Sequence, residues 1–226
     1  MAESVAVHFK QKFPIFPLPE TVLLPHAVMP LTIFEPRYRA MTNKALDGSG
    51  QIAIATYEQS PQQDKGAIRE VVCLSQIVQH EKVQHGYNIL MYGLCRAKVE
   101  EEYSSNDDCP YRKAKLRPLE KQEVEVDESY RAELLHMLRR PNLQRLENYE
   151  SIVSWAAEPT LSNSAIFELI GCSVFDDAEL RYELLAEPSS ERRSRRVLCE
   201  LSRLDQIVSM VNKQSTDHWK NGITWN

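Results

Sequence analysis

The chain has 226 residues, of which 42% are hydrophobic and 26% charged, with a net charge of −5. This length suits one large domain or two small ones, and no run approaches the ~20 apolar residues that a membrane helix needs. Most of the negative charge follows residue 118, and an acidic half repels phosphate backbones, which argues against broad nucleic-acid binding.

After a lead-in over residues 1–12, the segment 13–41 contains six prolines that separate short apolar runs. Proline has no backbone donor, so such runs suit short strands at a sheet edge or around a small barrel. Pro36 fits the first turn of a helix. Apolar residues then follow at helical spacing: Tyr38, Met41 and Ala45.

The region up to residue 119 predicts further strands. Residues 52–57 are rich in β-branched and aromatic side chains. The segment 66–80 is too densely apolar for a simple alternating strand, which predicts a bent or bulged strand that switches faces. A turn at His85-Gly86 leads to its return partner, 87–99, and 111–119 supplies another strand.

The spacing changes to a helical period near residue 120. Asp127 is a predicted N-cap, Gly171 a predicted helix end, and Asp176 with Glu179 a predicted capping box. Ser190 begins the longest predicted helix, which carries one continuous apolar stripe. The predicted organisation is a lead-in, a β domain, a helical bundle and a tail with Trp219 and Trp225: 1–12, 13–119, 120–213 and 214–226.

Two segments carry a resemblance to a known family. One is the opening pattern Pro17-Leu18, Val22 to Leu24, Pro25 and Pro30-Leu31, and the other pairs Gly66-Ala67-Ile68 with Gly93-Leu94-Cys95-Arg96-Ala97. Together they resemble the Lon protease N-terminal (substrate-binding) domain. The resemblance implies an α+β fold, in which a PUA-like β pseudo-barrel domain precedes an α-helical bundle, and it implies that Val22 to Leu24 form a strand.

The resemblance also bears on activity. Full Lon proteins continue into an ATPase and a serine–lysine peptidase, but this sequence has no G-x-x-x-x-G-K-[ST] phosphate loop and no comparable Gly-flanked serine. We therefore expect a stand-alone, non-enzymatic member without a cofactor. What the family implies is binding of polypeptides, including unfolded or degron-bearing chains, for a separate protease or chaperone in protein quality control.

Exposed apolar residues of the opening strands are the candidate peptide-binding surface, because such patches mark protein contacts and extended edges can accept a peptide strand. The candidates are Phe16, Leu23, Leu24, Val28, Phe34 and Tyr38. The alternative is a PUA-like RNA-binding module that uses the basic strand face of Lys113, Lys115 and Arg117.

Other candidate chemistry is weaker. His80 and His85 with Glu81 could hold a metal, but turn residues are commoner than ligands and no metal is expected. Glu35 is the carboxylate whose apolar context suggests acid–base chemistry. A negative charge at the start of a helix is favourable in any case, so a structural role is expected for it. The arginines near Ser190 are expected to pair with acidic groups. The five scattered cysteines predict reduced thiols and, with no signal peptide evident, a cytoplasmic protein; the oligomeric state stays open.

Overall fold

The structure, a computed structural model, describes residues 7–58, 66–120 and 125–220, with side chains up to residue 212. The chain divides into two compact units. One contains residues 1–123 and 175–188, and the other contains residues 124–174 and 189–226. The first unit holds the strands and the second is helical, so the predicted α+β class is confirmed.

Six strands form one mixed sheet in the first unit, in the order β2-β5-β4-β3-β1-β6. An additional pairing of β5 with β6 closes five of them into a ring, and β2 stays outside this ring as an edge strand on β5. The strands are β1 Lys12–Leu18, β2 Val28–Ile33, β3 Gln51–Thr56, β4 Val71–Val83, β5 Gly86–Tyr103 and β6 Lys113–Pro118. β1 runs parallel to β3, and the other pairs are antiparallel.

The interior of the ring is filled by alternating residues of its strands, as the period of two requires. Phe13 and Ile15 of β1 face Ala53 and Ala55 of β3 in this cluster. The remaining strands add Val72, Leu74, Ala97, Ala114 and Leu116. Val7 and Phe9 also pack against it, so the described end of the predicted lead-in contributes to the core.

β4 and β5 form the predicted bent hairpin. Register shifts lie between Leu74 and Ser75 and between Ile77 and Gln79, and such bulges bend a strand and increase its twist. The turn falls at Gln84 and His85, one residue before the predicted position. β5 is long enough to pair with β2 along its first half and with β6 along its second.

The segment Val22 to Leu24 is not the strand that the resemblance implied. It lies in the irregular connection from β1 to β2, yet all three side chains are at most 1% exposed. The connection is anchored on β5, since the amide of His26 donates to Gly93 O at 2.8 Å. Its apolar residues therefore serve as core residues of a buried loop.

Two helices belong to the first unit. α1, Pro36–Leu46, starts at Pro36 as predicted and buries Tyr38 and Met41. α5, Ala178–Ala186, was counted in the predicted bundle, but it contacts β4 and lies in this unit. Its N-cap is Asp177, whose carboxylate accepts from the amides of Glu179 and Leu180, rather than Asp176.

The described part of the helical unit contains four α-helices and a short 3-10 helix at Leu143–Arg145. The α-helices are α2 Glu128–Leu138, α3 Tyr149–Ala157, α4 Asn163–Val174 and α6 Ser190–Lys220. Asp127 caps α2 as predicted by accepting from the Ser129 amide. Gly171 does not end its helix and is buried within α4. α6 continues past residue 213, where the tail was predicted to begin. The side chain of Trp219 and all of Trp225 lie outside the described residues.

Candidate functional site

An apolar groove of about 480 Å³ opens on the first unit, between the end of β1, the second half of β2 and the start of α1. Its lining includes Phe16, Leu18, Leu31, Phe34, Arg37 and Tyr38. We call these residues the apolar groove. Apart from Tyr57, the lining residues come from the proline-interrupted opening segment, so one stretch of sequence builds most of the groove.

Two aromatic rings form the floor of the apolar groove. Phe16 and Tyr38 are only 7% and 6% exposed, and their ring centroids lie 4.4 Å apart with an interplanar angle of 53°. The guanidinium of Arg37 lies 4.4 Å from the Tyr38 ring centroid and 2.8 Å from the Glu35 carboxylate. This pairing neutralises Arg37, so the floor is apolar although a charged group lies beside it.

Phe34 stands at the rim of the groove and is 67% exposed, which is unusual for a large apolar side chain. It occupies the short gap between the end of β2 at Ile33 and the start of α1 at Pro36. Because Pro36 fixes the first turn of the helix, the backbone turns sharply after β2, and Phe34 is left without a place in the core.

β2 also presents a free backbone edge beside the groove. Gly93 N donates to Ala27 O at 3.0 Å, and antiparallel ladders alternate. This alternation directs the backbone groups of Leu31 toward β5 and those of Pro30 and Thr32 away from it. No strand in the described part of the chain pairs with that outer side, and Pro30 suits it because its missing donor costs no ladder bond there.

The six candidate residues separate into three groups. Phe16, Phe34 and Tyr38 come together around the apolar groove. Val28 is 59% exposed but lies outside the groove. Leu23 and Leu24 are 1% and 0% exposed, so the structure removes them from the candidate surface: their apolar run fills the core of the connection before β2.

In the alternative basic patch, two of the three cations share one carboxylate partner. Lys115 Nζ lies 3.4 Å and Arg117 Nε 4.0 Å from the carboxylate of Glu100 on the neighbouring strand. The Lys113 ammonium lies 5.4 Å from the ring centroid of Tyr111. An acidic stretch of β5 thus runs beside β6, which reduces the attraction of this face for phosphate.

A second cleft, of about 540 Å³, lies within the helical unit between α2 and α6. Its charged lining is largely paired internally. Arg195 binds Glu191 at 2.8 Å and the Tyr130 hydroxyl at 3.1 Å, and Arg140 binds Asp205 at 3.0 Å. We consider this cleft a poorer ligand site than the groove, because its cations already have anionic partners.

Two observations on the described residues concern metal binding and cysteine reactivity. They contain no group of three or more His, Cys, Asp or Glu residues that could hold a metal ion. Burial, together with the nearby Glu120 carboxylate, raises the pKa of the Cys95 thiol to about 11, whereas a nucleophilic cysteine requires a lowered pKa.

Sequence reasoning missed one buried carboxylate. Glu168 is 3% exposed and binds Arg193 at 2.7 Å. The sequence feature that indicates it is a single glutamate inside the apolar run Ala165 to Ile170, a more apolar context than that of Glu35. In the structure, Glu35 is partly exposed and pairs with Arg37. Its pairing with an arginine indicates a structural role.

Comparison with known proteins agrees with the fold. Residues 12–203 match the family described as the ATP-dependent protease La (LON) substrate-binding domain. The chain belongs to the LON substrate-binding domain family. The family indicated by the proline-rich opening and the Gly93 motif is therefore confirmed.

The relatives of this LON substrate-binding domain are longer proteins. The chain is 24% identical over 205 residues to a Lon protease of Anaeromyxobacter dehalogenans (strain 2CP-C) and 24% identical over 210 residues to Lon protease 2 of Myxococcus xanthus. These alignments cover 88% and 90% of this chain but only 24% and 25% of the relatives. The chain thus spans about a quarter of the length of these relatives.

Solved structures show the same fold. The N-terminal domain of a Mycobacterium avium complex Lon protease matches with a TM-score of 0.63 at 21% identity, over 85% of this chain and 98% of that one. A Lon N-terminal domain protein from Xanthomonas campestris matches with a TM-score of 0.58 at 18% identity, over 84% and 98%. None of the described helices combines the length and apolar character of a membrane span.

Proposed function

We propose that this LON substrate-binding domain is a non-catalytic polypeptide-binding protein that holds extended segments in the apolar groove. The observation that carries the proposal is the exposed Phe34 above the buried Phe16 and Tyr38 rings. A side chain from a bound segment would cover apolar surface there, and the free edge of β2 offers backbone partners of the kind used in strand addition.

The wider role follows from the family. Unfolded or degron-bearing proteins expose apolar side chains on extended backbone, which is what this groove fits. We propose that such chains are passed to a separate protease or chaperone as part of protein quality control. Placement in the cytoplasm is part of the same proposal, and it is supported by the five scattered cysteines, none of which forms a disulfide within the described residues, as expected of a reducing compartment.

The test compares two exposed apolar residues of the same region. A fluorescent peptide with a Phe-Leu-Phe core is titrated with the wild type, Phe34→Asp and Val28→Asp, and binding is followed by anisotropy. Burying a large apolar side chain contributes about 1.5–3 kcal/mol, so Phe34→Asp should weaken binding about tenfold or more. Val28→Asp carries the same added charge outside the groove and should bind like the wild type.

Both side chains are mostly exposed, so both variants should keep a cooperative thermal transition. Wild-type affinity in a folded Phe34→Asp variant would refute the proposal. An equal loss in Val28→Asp would also contradict it, because the binding surface would then extend over the outer face of β2.

A further inference from the structure

The apolar groove leads into a smaller, acidic recess of about 130 Å³. The two share Pro19 and Tyr57 in their walls, so one extended segment could occupy both. The charged residues that line the recess are Glu20, Glu58, Glu179 and Arg69. We call these four residues the acidic recess.

The recess has three carboxylates and one guanidinium. Arg69 pairs with Glu179, and neither Glu20 nor Glu58 forms an ion pair with any other described residue. Both of these side chains belong to exposed residues. Within the part of the chain that the structure describes, two negative charges are therefore left uncompensated at one end of a largely apolar groove, whose own cation, Arg37, is paired with Glu35.

We propose that the segment held in the groove carries a lysine or arginine beside its apolar side chain, with the cation in the acidic recess. This inference rests on the proposed function, because the same groove holds the apolar part. A lysine or arginine stem can lie along apolar wall while its head reaches the carboxylates, and charge complementarity of this kind supplies specificity and faster association.

Two other occupants fit less well. A metal ion would need a cluster of ligands, and the described residues contain no suitable group of three His, Cys, Asp or Glu residues. A second copy of the chain would bring a net charge of −5 toward an acidic surface. It would also place Pro30 against Pro30 if two β2 edges paired about that residue, which removes two ladder bonds.

The experiment uses three short peptides with one Phe-Leu-Phe core, flanked by Lys, Gln or Glu. Their affinities are measured for the full chain by anisotropy at low and high salt. The Lys-flanked peptide should bind about two- to fivefold more tightly than the Gln-flanked peptide. The Glu-flanked peptide should bind most weakly, and the differences should shrink at high salt because added ions screen exposed charges.

Two matched variants locate the effect. Glu20→Gln/Glu58→Gln should bind the Lys- and Gln-flanked peptides equally while leaving the affinity for the Gln-flanked peptide unchanged. Glu81→Gln/Glu147→Gln removes two exposed carboxylates outside the recess and should keep the preference of the wild type. Glu179 is left in place because it pairs with Arg69.

The outcomes separate this inference from the proposed function. If the wild type binds all three peptides equally and Phe34→Asp weakens them all, the charge preference is wrong and the groove stands. A preference that survives Glu20→Gln/Glu58→Gln also overturns the inference. If none of the peptides binds the wild type, or Phe34→Asp has no effect, the proposed function itself fails.

Discussion

Arg193 and Glu168 join α6 to α4 through an ion pair in which both side chains are 3% exposed. Such a pair gains little net stability, because removing two charges from water offsets their attraction. Breaking it is different, since one buried charge is then left without its partner. The pair therefore fixes which faces of the two helices meet more than it strengthens their contact.

This difference gives a prediction at the residue scale. Arg193→Met should lower the free energy of unfolding of the helical unit by about 3–5 kcal/mol, because Glu168 loses its buried counter-charge. Arg193→Met/Glu168→Met should recover most of that loss. Denaturant unfolding followed by far-UV circular dichroism measures both.

The control is Arg203→Met on the same helix, whose side chain is 71% exposed and lies 3.7 Å from Glu200; it should change stability by under about 1 kcal/mol. If Arg193→Met matches this control, the pair has no structural role. A double variant as unstable as Arg193→Met alone would show that packing, rather than the unpaired charge, causes the loss.

At the residue scale, ion-pair partners are easier to predict from the sequence than burial is. The cluster from Arg192 to Arg196 was expected to pair with acidic residues, and Arg195 does bind Glu191. The burial of Arg193 could not be read from the sequence, because it depends on which face of α6 meets α4. The sequence marks Glu168 as a single glutamate in an apolar run, but its arginine partner depends on how α4 and α6 pack.

Two glycines of β5 allow other backbone to approach very closely. A Cβ atom on Gly86 would lie 1.7 Å from Ile33 O, and one on Gly93 would lie 2.3 Å from Leu24 O. Both neighbours are backbone atoms, which cannot move aside as a side-chain end can. β2 and the buried connection before it can therefore lie this close to β5 only because residues 86 and 93 are glycines.

At the element scale, we predict that Gly86→Ala lowers the free energy of unfolding by about 1–3 kcal/mol. This is the usual cost of forcing extra atoms into packed structure. The measurement is the denaturation midpoint of the full chain. Gly48→Ala is the matched control, because its Cβ would meet only ordinary contacts at 3.7 Å, and it should change stability by under about 0.5 kcal/mol. Equal midpoints for the two variants would contradict the close approach.

The strands show where sequence patterns suffice. β3 was predicted because its segment is rich in β-branched and aromatic residues, and the bent β4–β5 hairpin because its first strand is too densely apolar for simple alternation. The predicted strand at Val22 to Leu24 was wrong because three consecutive apolar residues fit a buried loop as well as a strand. What decides between them is the contact of this connection with Gly93, which lies far away in sequence.

At the scale of the whole molecule, α5 shows what the sequence could not predict. Its helical period was evident, but a period does not reveal which unit a helix packs against. The chain leaves the first unit after residue 123, returns for residues 175–188 and leaves again. The returning helix is held by polar contacts as well as packing: Glu179 pairs with Arg69, the Tyr182 hydroxyl accepts from the Val71 amide at 3.2 Å, and Leu184 O accepts from Arg96 at 3.3 Å.

The final prediction follows from this attachment. Val71 is 3% exposed, so Tyr182→Phe leaves a buried amide without its acceptor, at a cost of about 1–3 kcal/mol. Local opening of α5 should then become about tenfold more frequent, and hydrogen–deuterium exchange of residues 178–186 should accelerate by that factor.

Tyr149→Phe is the control, because its hydroxyl donates to Leu138 O at 3.0 Å within the helical unit, and it should leave exchange in α5 unchanged. Acceleration of α5 by both variants, or by neither, would show that the contact with β4 does not hold this helix.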